Sequence, residues 1–324
     1  MADDKEREIP ANLQPGPDDV AFDLDAALAS VVGLRADIPD DAFTASILGT
    51  ERAGNGVVIA ENGVVLTIGY LITEAQTIWL STVKGTVVPA HPLAYDQATG
   101  FGLVQALGRL GLPAIKRGSA GACAQGQKVI LAGHGGRRHA LKARVLAKRE
   151  YAGYWEYVLD EAIFTAPAHP HWGGAALLDQ EGRLAGIGSL LWQERIADKD
   201  VQGNMIVPID LLEPILDDLL RFGQVNQPPK PWLGMYTAEV QEHLVVAGLV
   251  EGGPAHKAGV EVGDVLLEVA GEPPGHLADL YRKVWNRGPA GVEVPMTLGR
   301  DGERQPVRVH TVDRNQFLKK PKLH

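Results

Sequence analysis

The sequence is short of several things at once, and each shortage removes a class of function. A single cysteine, Cys123, rules out an intrachain disulfide framework and reads as a small buried apolar residue rather than a nucleophile. Basic charge is in deficit: 31 Lys and Arg against 40 Asp and Glu give a net charge of −9, which repels phosphate backbones and anionic membrane surfaces, so nucleic acid is not expected as a partner. No run reaches the ~18 consecutive apolar residues of a membrane helix, so no membrane insertion is expected. The N-terminal MADDKEREIPANLQPGPDD has no apolar h-region of a secretory signal, and the chain is therefore expected to be soluble and cytoplasmic, or periplasmic had a leader been removed.

What is present is a chain of 324 residues, longer than the ~250–300 at which single cores divide, so two or three packing units are expected. With 38 Gly and 21 Pro, the composition favours many turns and short strands. Residues 1–21 read as a disordered acidic lead-in. DLDAALASVVGL follows with Leu24, Ala27, Leu28 and Val31 on one helical face, a short docking helix. From about Phe43 to Val207 glycine-punctuated β runs follow one another, among them FTASILGT, GNGVVIA, GVVLTIG, TIWLST, QKVILAG, LKARVLA, EAIFTA, AALLD, RLAGIGSL and NMIVPI, which predict a sandwich or barrel. In the one basic cluster, Arg138, Lys142, Arg144 and Lys148 fall at even positions, the wet face of a strand. IDLLEPILDDLLRFG predicts a closing helix with Asp210 as cap and Gly223 as stop.

The stretch GQVNQPPKP, residues 223–231, has three prolines in its last four positions and predicts a semi-rigid linker, hence a domain boundary. Beyond it, residues 232–314 alternate strands with two helices, PAHKAG and HLADLYRKVWNRG, and residues 315–324 form a basic tail.

PWLGMYT followed by GLVEGGPAHKAGVEVGDVLLEVAGEPPGHLADL closely resembles the PDZ domain of the HtrA/DegP-type proteases. The chemistry agrees with the resemblance: a Leu-Gly-Met turn that opens a strand can aim successive backbone N–H groups at a terminal carboxylate, while the sheet edge accepts a peptide as an extra strand. The resemblance implies a carboxylate-binding loop of Trp232, Leu233, Gly234 and Met235 and a specificity pocket lined by Leu277, Leu280 and Val284, residues that the helical spacing alone reads as core. Its partners would be C-terminal or extended peptide segments of other proteins.

The residues before the linker, 22–222, resemble the trypsin-like double β-barrel of the same family, so the expected architecture is mainly β: a double barrel followed by an α+β PDZ domain. The family's catalytic-histidine segment reads Leu-Thr-Asn-X-His-Val, and here Leu66-Thr67-Ile68-Gly69-Tyr70-Leu71 puts Tyr70 at the histidine. The aspartate segment, Thr-Asp-Leu-Ala in the family, is Thr99-Gly100-Phe101-Gly102, with Gly100 at the carboxylate. The nucleophile segment, Asn-Pro-Gly-Asn-Ser-Gly-Gly-Pro-Leu, is matched by HPHWGGAAL from His169 to Leu177, with Gly173 at the serine and His171 at a glycine.

A triad needs a hydroxyl, an imidazole and an orienting carboxylate, and neither a phenol titrating near pH ~10 nor two glycines can supply them. The resemblance therefore implies a pseudoprotease that acts as a peptide-binding adaptor and needs no cofactor. Two other readings stay open. One is an active hydrolase with a rebuilt site, using Ser189 as nucleophile or a metal held by His169 and His171 with His134 and His139 nearby, whereas Asp96 as a replacement carboxylate has no histidine to orient. The other is a regulatory subunit in mixed oligomers, since family members form trimers through contacts near the N-terminus, where this chain offers Phe22 and a modest helix.

Overall fold

A computed structural model describes residues 8–196 and 198–320. The described residues divide into two units, one made of residues 8–149, 161–196, 198–225 and 319–320, the other of residues 150–160 and 226–318.

The first unit holds two closed six-stranded barrels. One is built from β1 (Val31–Asp37), β2 (Glu51–Val58), β3 (Val64–Ile68), β4 (Thr77–Ser81), β5 (Val87–Tyr95) and β6 (Phe101–Ala106), in the order β1-β2-β3-β6-β5-β4. The other comprises β7 (Lys128–Ala132), β8 (Ala140–Gly153), β9 (Tyr157–Ala166), β10 (Ala176–Leu178), β11 (Leu184–Ile196) and β12 (Lys199–Pro208), in the order β10-β11-β12-β9-β8-β7. Closure leaves no sheet edge unpaired and turns one face of every strand inward. On the strands of the first barrel, Val32, Val57, Val65, Leu66, Leu80, Leu103 and Val104 are all fully buried. Val129, Leu131, Val145, Ile163, Leu177 and Ile206 fill the second together with Cys123, whose thiol burial pushes up to about 11, as befits an apolar filler. Along β8 the odd positions Leu141, Ala143 and Val145 are buried while Lys142 and Arg144 are not, which is the alternation read from the basic cluster.

The mainly β architecture agrees with the sequence reading, but four local expectations need correction. Residues 8–21 are not a disordered lead-in: they make two 3-10 turns, Ala11–Leu13 and Pro17–Asp19, anchored by buried Ile9 and by Asp19 on Lys142 at 3.0 Å, while residues 1–7 lie outside the described residues. The docking helix spans only Leu24–Leu28, and Val31 opens β1 instead. FTASILGT is not a strand, because Ala45–Leu48 forms a helical turn. The closing helix begins at Leu216, since Pro214 lacks the N–H to continue a helix from Ile209; Asp210 caps nothing there and its carboxylate accepts from Ser119 Oγ and Ala120 N, both at 2.6 Å.

The second unit is a five-stranded antiparallel sheet, β13 (Met235–Val240), β14 (His243–Leu249), β15 (Val265–Val269), β16 (Glu293–Arg300) and β17 (Glu303–His310), neighbours in that order, so β13 and β17 are its edges. The helix Leu277–Trp285 covers it, burying Leu277, Leu280, Tyr281 and Val284 against Leu244, Val246, Val269 and Leu298. The proline-rich stretch is held to this unit through Ala290 N, in the loop before β16, donating to Pro229 O and Lys230 Nζ lying 4.0 Å above the Trp285 ring of the helix. The start of the basic tail is ordered too, with Phe317 packed edge-on to Trp232. Residues 150–160, assigned from sequence to the barrel half, join this unit: Ala152 and Val158 pack on its core, and Arg282 bridges Glu150 and Asp160.

Candidate functional site

The turn before β10 is held by one buried side chain that sequence reasoning passed over. Asn55, on β2, donates from Nδ2 to His171 O at 2.8 Å and to Gly173 O at 3.1 Å, and its backbone N donates to Gly173 O at 2.8 Å. Its Oδ1 accepts from His134 N at 2.7 Å. Two loops are thereby tied to one residue. Gly174 stands where no other residue fits, with φ of 75° and an ideal Cβ only 1.9 Å from Asn55 O. His171 lies outside the positive-φ region, so the turn has taken a shape that tolerates its Cβ.

The N–H of His171 donates to His169 Nδ1 at 3.0 Å. His169 is fully buried, takes Asn204 Oδ1 on its own N–H at 2.6 Å, and sets its Nε2 2.9 Å from His139 O. An Nδ1 that accepts places the proton on Nε2, where it donates to that carbonyl, so the neutral tautomer satisfies both ring nitrogens. Burial lowers its pKa to about 4, against the pull of the His139 carbonyl.

Tyr70 and Gly173 meet across the same site. The phenol donates to Ser189 O at 2.8 Å, and a Cβ built on Gly173 would stand 2.8 Å from Tyr70 Oη. A side chain at position 173 therefore requires the phenol to shift. Burial raises the phenol well above its ordinary pKa, against the opposing influence of the neighbouring Trp172 side chain, so it stays protonated. Trp172 thus fills space beside Tyr70. Gly100 lies close by in sequence of contacts: its carbonyl accepts from Gly69 N at 2.7 Å, one residue from Tyr70. Asp96 is spent inside its own turn, accepting from Thr99 N at 2.8 Å and Thr99 Oγ1 at 2.6 Å. Ser189 is buried on β11 at 4% exposure.

The histidines are brought near one another without converging. The His139 and His169 rings each lie 6.3 Å from that of His171, and both His169 nitrogens are engaged. His134 keeps a buried Nε2 with no hydrogen-bond partner, and burial lowers its pKa. Among the described residues no group of three His, Cys, Asp or Glu side chains is placed to hold a metal ion.

In the second unit, Leu233, Gly234 and Met235 aim their backbone N–H groups at one point. A carboxylate is already there. Glu156 accepts from Leu233 N at 3.0 and 3.1 Å, Gly234 N at 2.8 Å and Met235 N at 3.4 Å. Gly234 has φ of 71°, and a Cβ there would press on Pro254 and on the Trp232 ring. Glu156 is buried; desolvation pushes its carboxyl up to about 7, and the three N–H donors pull the other way. Leu277, Leu280 and Val284 lie on one buried helix face, within the core of this unit.

Comparison with known proteins bears on this pair of sites. Residues 54–187 match the model of the trypsin-like peptidase domain, and residues 245–298 match that of the PDZ domain. The fold is therefore a trypsin-like double barrel with a PDZ domain after it. These matches, with the relatives that follow, support an HtrA-like family with a C-terminal PDZ domain. It is 27% identical over 275 residues to a "Probable periplasmic serine endoprotease DegP-like" of Pseudomonas putida (strain W619), covering 79% of this chain and 54% of the relative. It is 27% identical over 297 residues to "Protease Do-like 1, chloroplastic" of Arabidopsis thaliana, covering 84% of this chain and 66% of the relative. The chain thus spans about half the length of the DegP-like relatives it matches. Among solved structures, an HtrA-type protease AlgW with tripeptide superposes with a TM-score of 0.53 at 19% identity, covering 93% of this chain and 98% of the other, a likeness of fold.

One expectation is overturned. A cytoplasmic location was read from the missing h-region, but the similar bacterial proteins are named periplasmic serine endoproteases and point to the periplasm.

Proposed function

We propose that this chain is a catalytically inactive HtrA-like protein whose PDZ domain binds peptide segments of other proteins, an adaptor rather than a hydrolase. The observation that carries the reading is the Tyr70 hydroxyl, which takes the room of a Gly173 side chain and is tied to Ser189 O at 2.8 Å. Tyr70, Gly100 and Gly173 are the positions that the family resemblance gives to the histidine, aspartate and serine. A proton relay needs an imidazole within hydrogen-bond reach of a nucleophile, and a protonated phenol facing a glycine cannot relay. The oxyanion pocket is compromised as well, because His171 N–H, one of the donors such a turn would aim at a substrate, is given to His169 Nδ1.

Ser189 does not rescue the active-hydrolase reading: it is buried at 4% exposure and its carbonyl is the anchor of Tyr70. On the binding side, the convergent N–H groups of Leu233, Gly234 and Met235 have the chemistry for a terminal carboxylate, and β13 is a sheet edge. The solved relatives with a tripeptide and a decapeptide are HtrA-type proteases of the same fold.

Two measurements test this. Casein and a mixed peptide pool should be turned over at the buffer background, with or without chelator; turnover above that background, abolished by a change at Ser189 or by chelator, would refute the inactive reading. Calorimetric titration should show that peptides with free C-termini bind in preference to their amidated forms, and equal affinity for the two would refute the carboxylate-loop reading.

A further inference from the structure

The proposed peptide site is already filled by a side chain of the same unit. Three features of that occupancy resemble a bound peptide more than a simple fastening. First, the Glu156 carboxylate sits on three successive backbone N–H groups, the donor set proposed above for a peptide terminus. Second, Thr237 N on the edge strand β13 donates to Tyr154 O at 3.2 Å, so the backbone two residues before the carboxylate lies along the edge where an added strand would run. Third, the Tyr154 ring packs edge-on to Tyr236 at 5.8 Å, as a ligand side chain would.

The occupancy also works against its own stability. Glu156 adopts φ of 62°, a left-handed conformation that a residue with a Cβ enters at a cost of ~1–2 kcal/mol. Its carboxylate is largely removed from water, which disfavours the charged form unless donors replace the solvent. A fastening for residues 150–160 is present without it, in the Arg282 bridges to Glu150 and Asp160 and in the packing of Ala152 and Val158 on the core.

We propose that Glu156 is the resident ligand of the carboxylate loop, so that a peptide with a free C-terminal carboxylate enters only as the tip Tyr154–Glu156 leaves. The inference rests on the peptide-binding reading and adds to it a competitor held in the same unit. An internal competitor acts at an effective concentration in the millimolar range without any second molecule. If the tip occupies the loop more than nine tenths of the time, the apparent affinity for a peptide is lowered about tenfold or more.

The test uses the full chain and one fluorescent peptide with a free C-terminus, with its amidated form as control. Glu156→Ala removes the carboxylate and should bind the free-acid peptide at least about tenfold more tightly than the wild type, with no gain for the amidated peptide. Glu156→Gln keeps the size and one acceptor oxygen and should gain less. In the wild type, saturating peptide should raise hydrogen exchange across residues 150–160 while lowering it at residues 233–235. Equal affinities in all three proteins with unchanged exchange at 150–160 would overturn the resident-ligand proposal and leave peptide binding intact. Failure of every protein to prefer the free acid would overturn the peptide-binding reading itself. Should Glu156→Ala not fold by circular dichroism, the Glu156→Gln affinity and the wild-type exchange data decide the matter.

Discussion

Protonating His169 should cost the barrel unit much of its stability, and the size follows from its surroundings. In the fold, Nδ1 accepts from His171 N and Nε2 faces His139 O, so a second proton on Nδ1 would confront an N–H donor in a fully buried place. The folded pKa of about 4 lies below the ordinary 6.5. The unfolded chain therefore binds the extra proton first, and the stabilisation from the neutral ring is complete above pH ~6.5 and lost as the pH falls toward 4. The full difference is about 3 kcal/mol, and between pH 8 and pH 5 about 2 kcal/mol should disappear. The perturbation that isolates it is His169→Gln, which does not titrate. Urea unfolding of wild type and variant would be measured at pH 8, 6.5 and 5, with pulsed hydrogen exchange on β10 reporting the barrel unit alone. Whatever the baseline cost of the substitution, the stability advantage of the wild type should shrink by about 2 kcal/mol across that range. His134, whose pKa is also lowered, titrates in both proteins and cancels. A gap that stays constant from pH 8 to pH 5 would refute the neutral-tautomer assignment.

Further predictions concern the same turn. Asn55→Ala removes the donor to His171 O and Gly173 O and the acceptor for His134 N, and should destabilise the barrel unit by about 2–4 kcal/mol in urea unfolding. Gly174→Ala drives a Cβ into Asn55 O at a positive φ; a loss of about 3 kcal/mol or more, or failure to fold, is expected, and a thermal midpoint within a degree of wild type would contradict the geometry. Tyr70→Phe keeps the ring and deletes only the bond to Ser189 O, which should lower stability by about 1 kcal/mol and leave peptide turnover at background.

The legible parts of this chain are those set by neighbours in sequence. Alternation along LKARVLA gave the strand and its wet face, and WLGMYT announced a turn of clustered N–H donors, because both patterns are written within a few residues. The illegible parts depend on distant partners. FTASILGT has the composition of a strand yet folds as a helical turn, and the closing helix starts late because one proline outweighs the apolar spacing around it.

The site divides in the same way. That positions 70, 100 and 173 carry a tyrosine and two glycines is a matter of covalent sequence. That the Tyr70 hydroxyl lies against Gly173, 103 residues away, and that Asn55 stitches the turn across 118 residues, follow only once two barrels have closed and their strands are in register. Glu156 is the extreme case. In the sequence it is one acidic residue among forty, with no local pattern to mark it, and it becomes a ligand only because the fold gathers three N–H groups 77–79 residues downstream around its carboxylate.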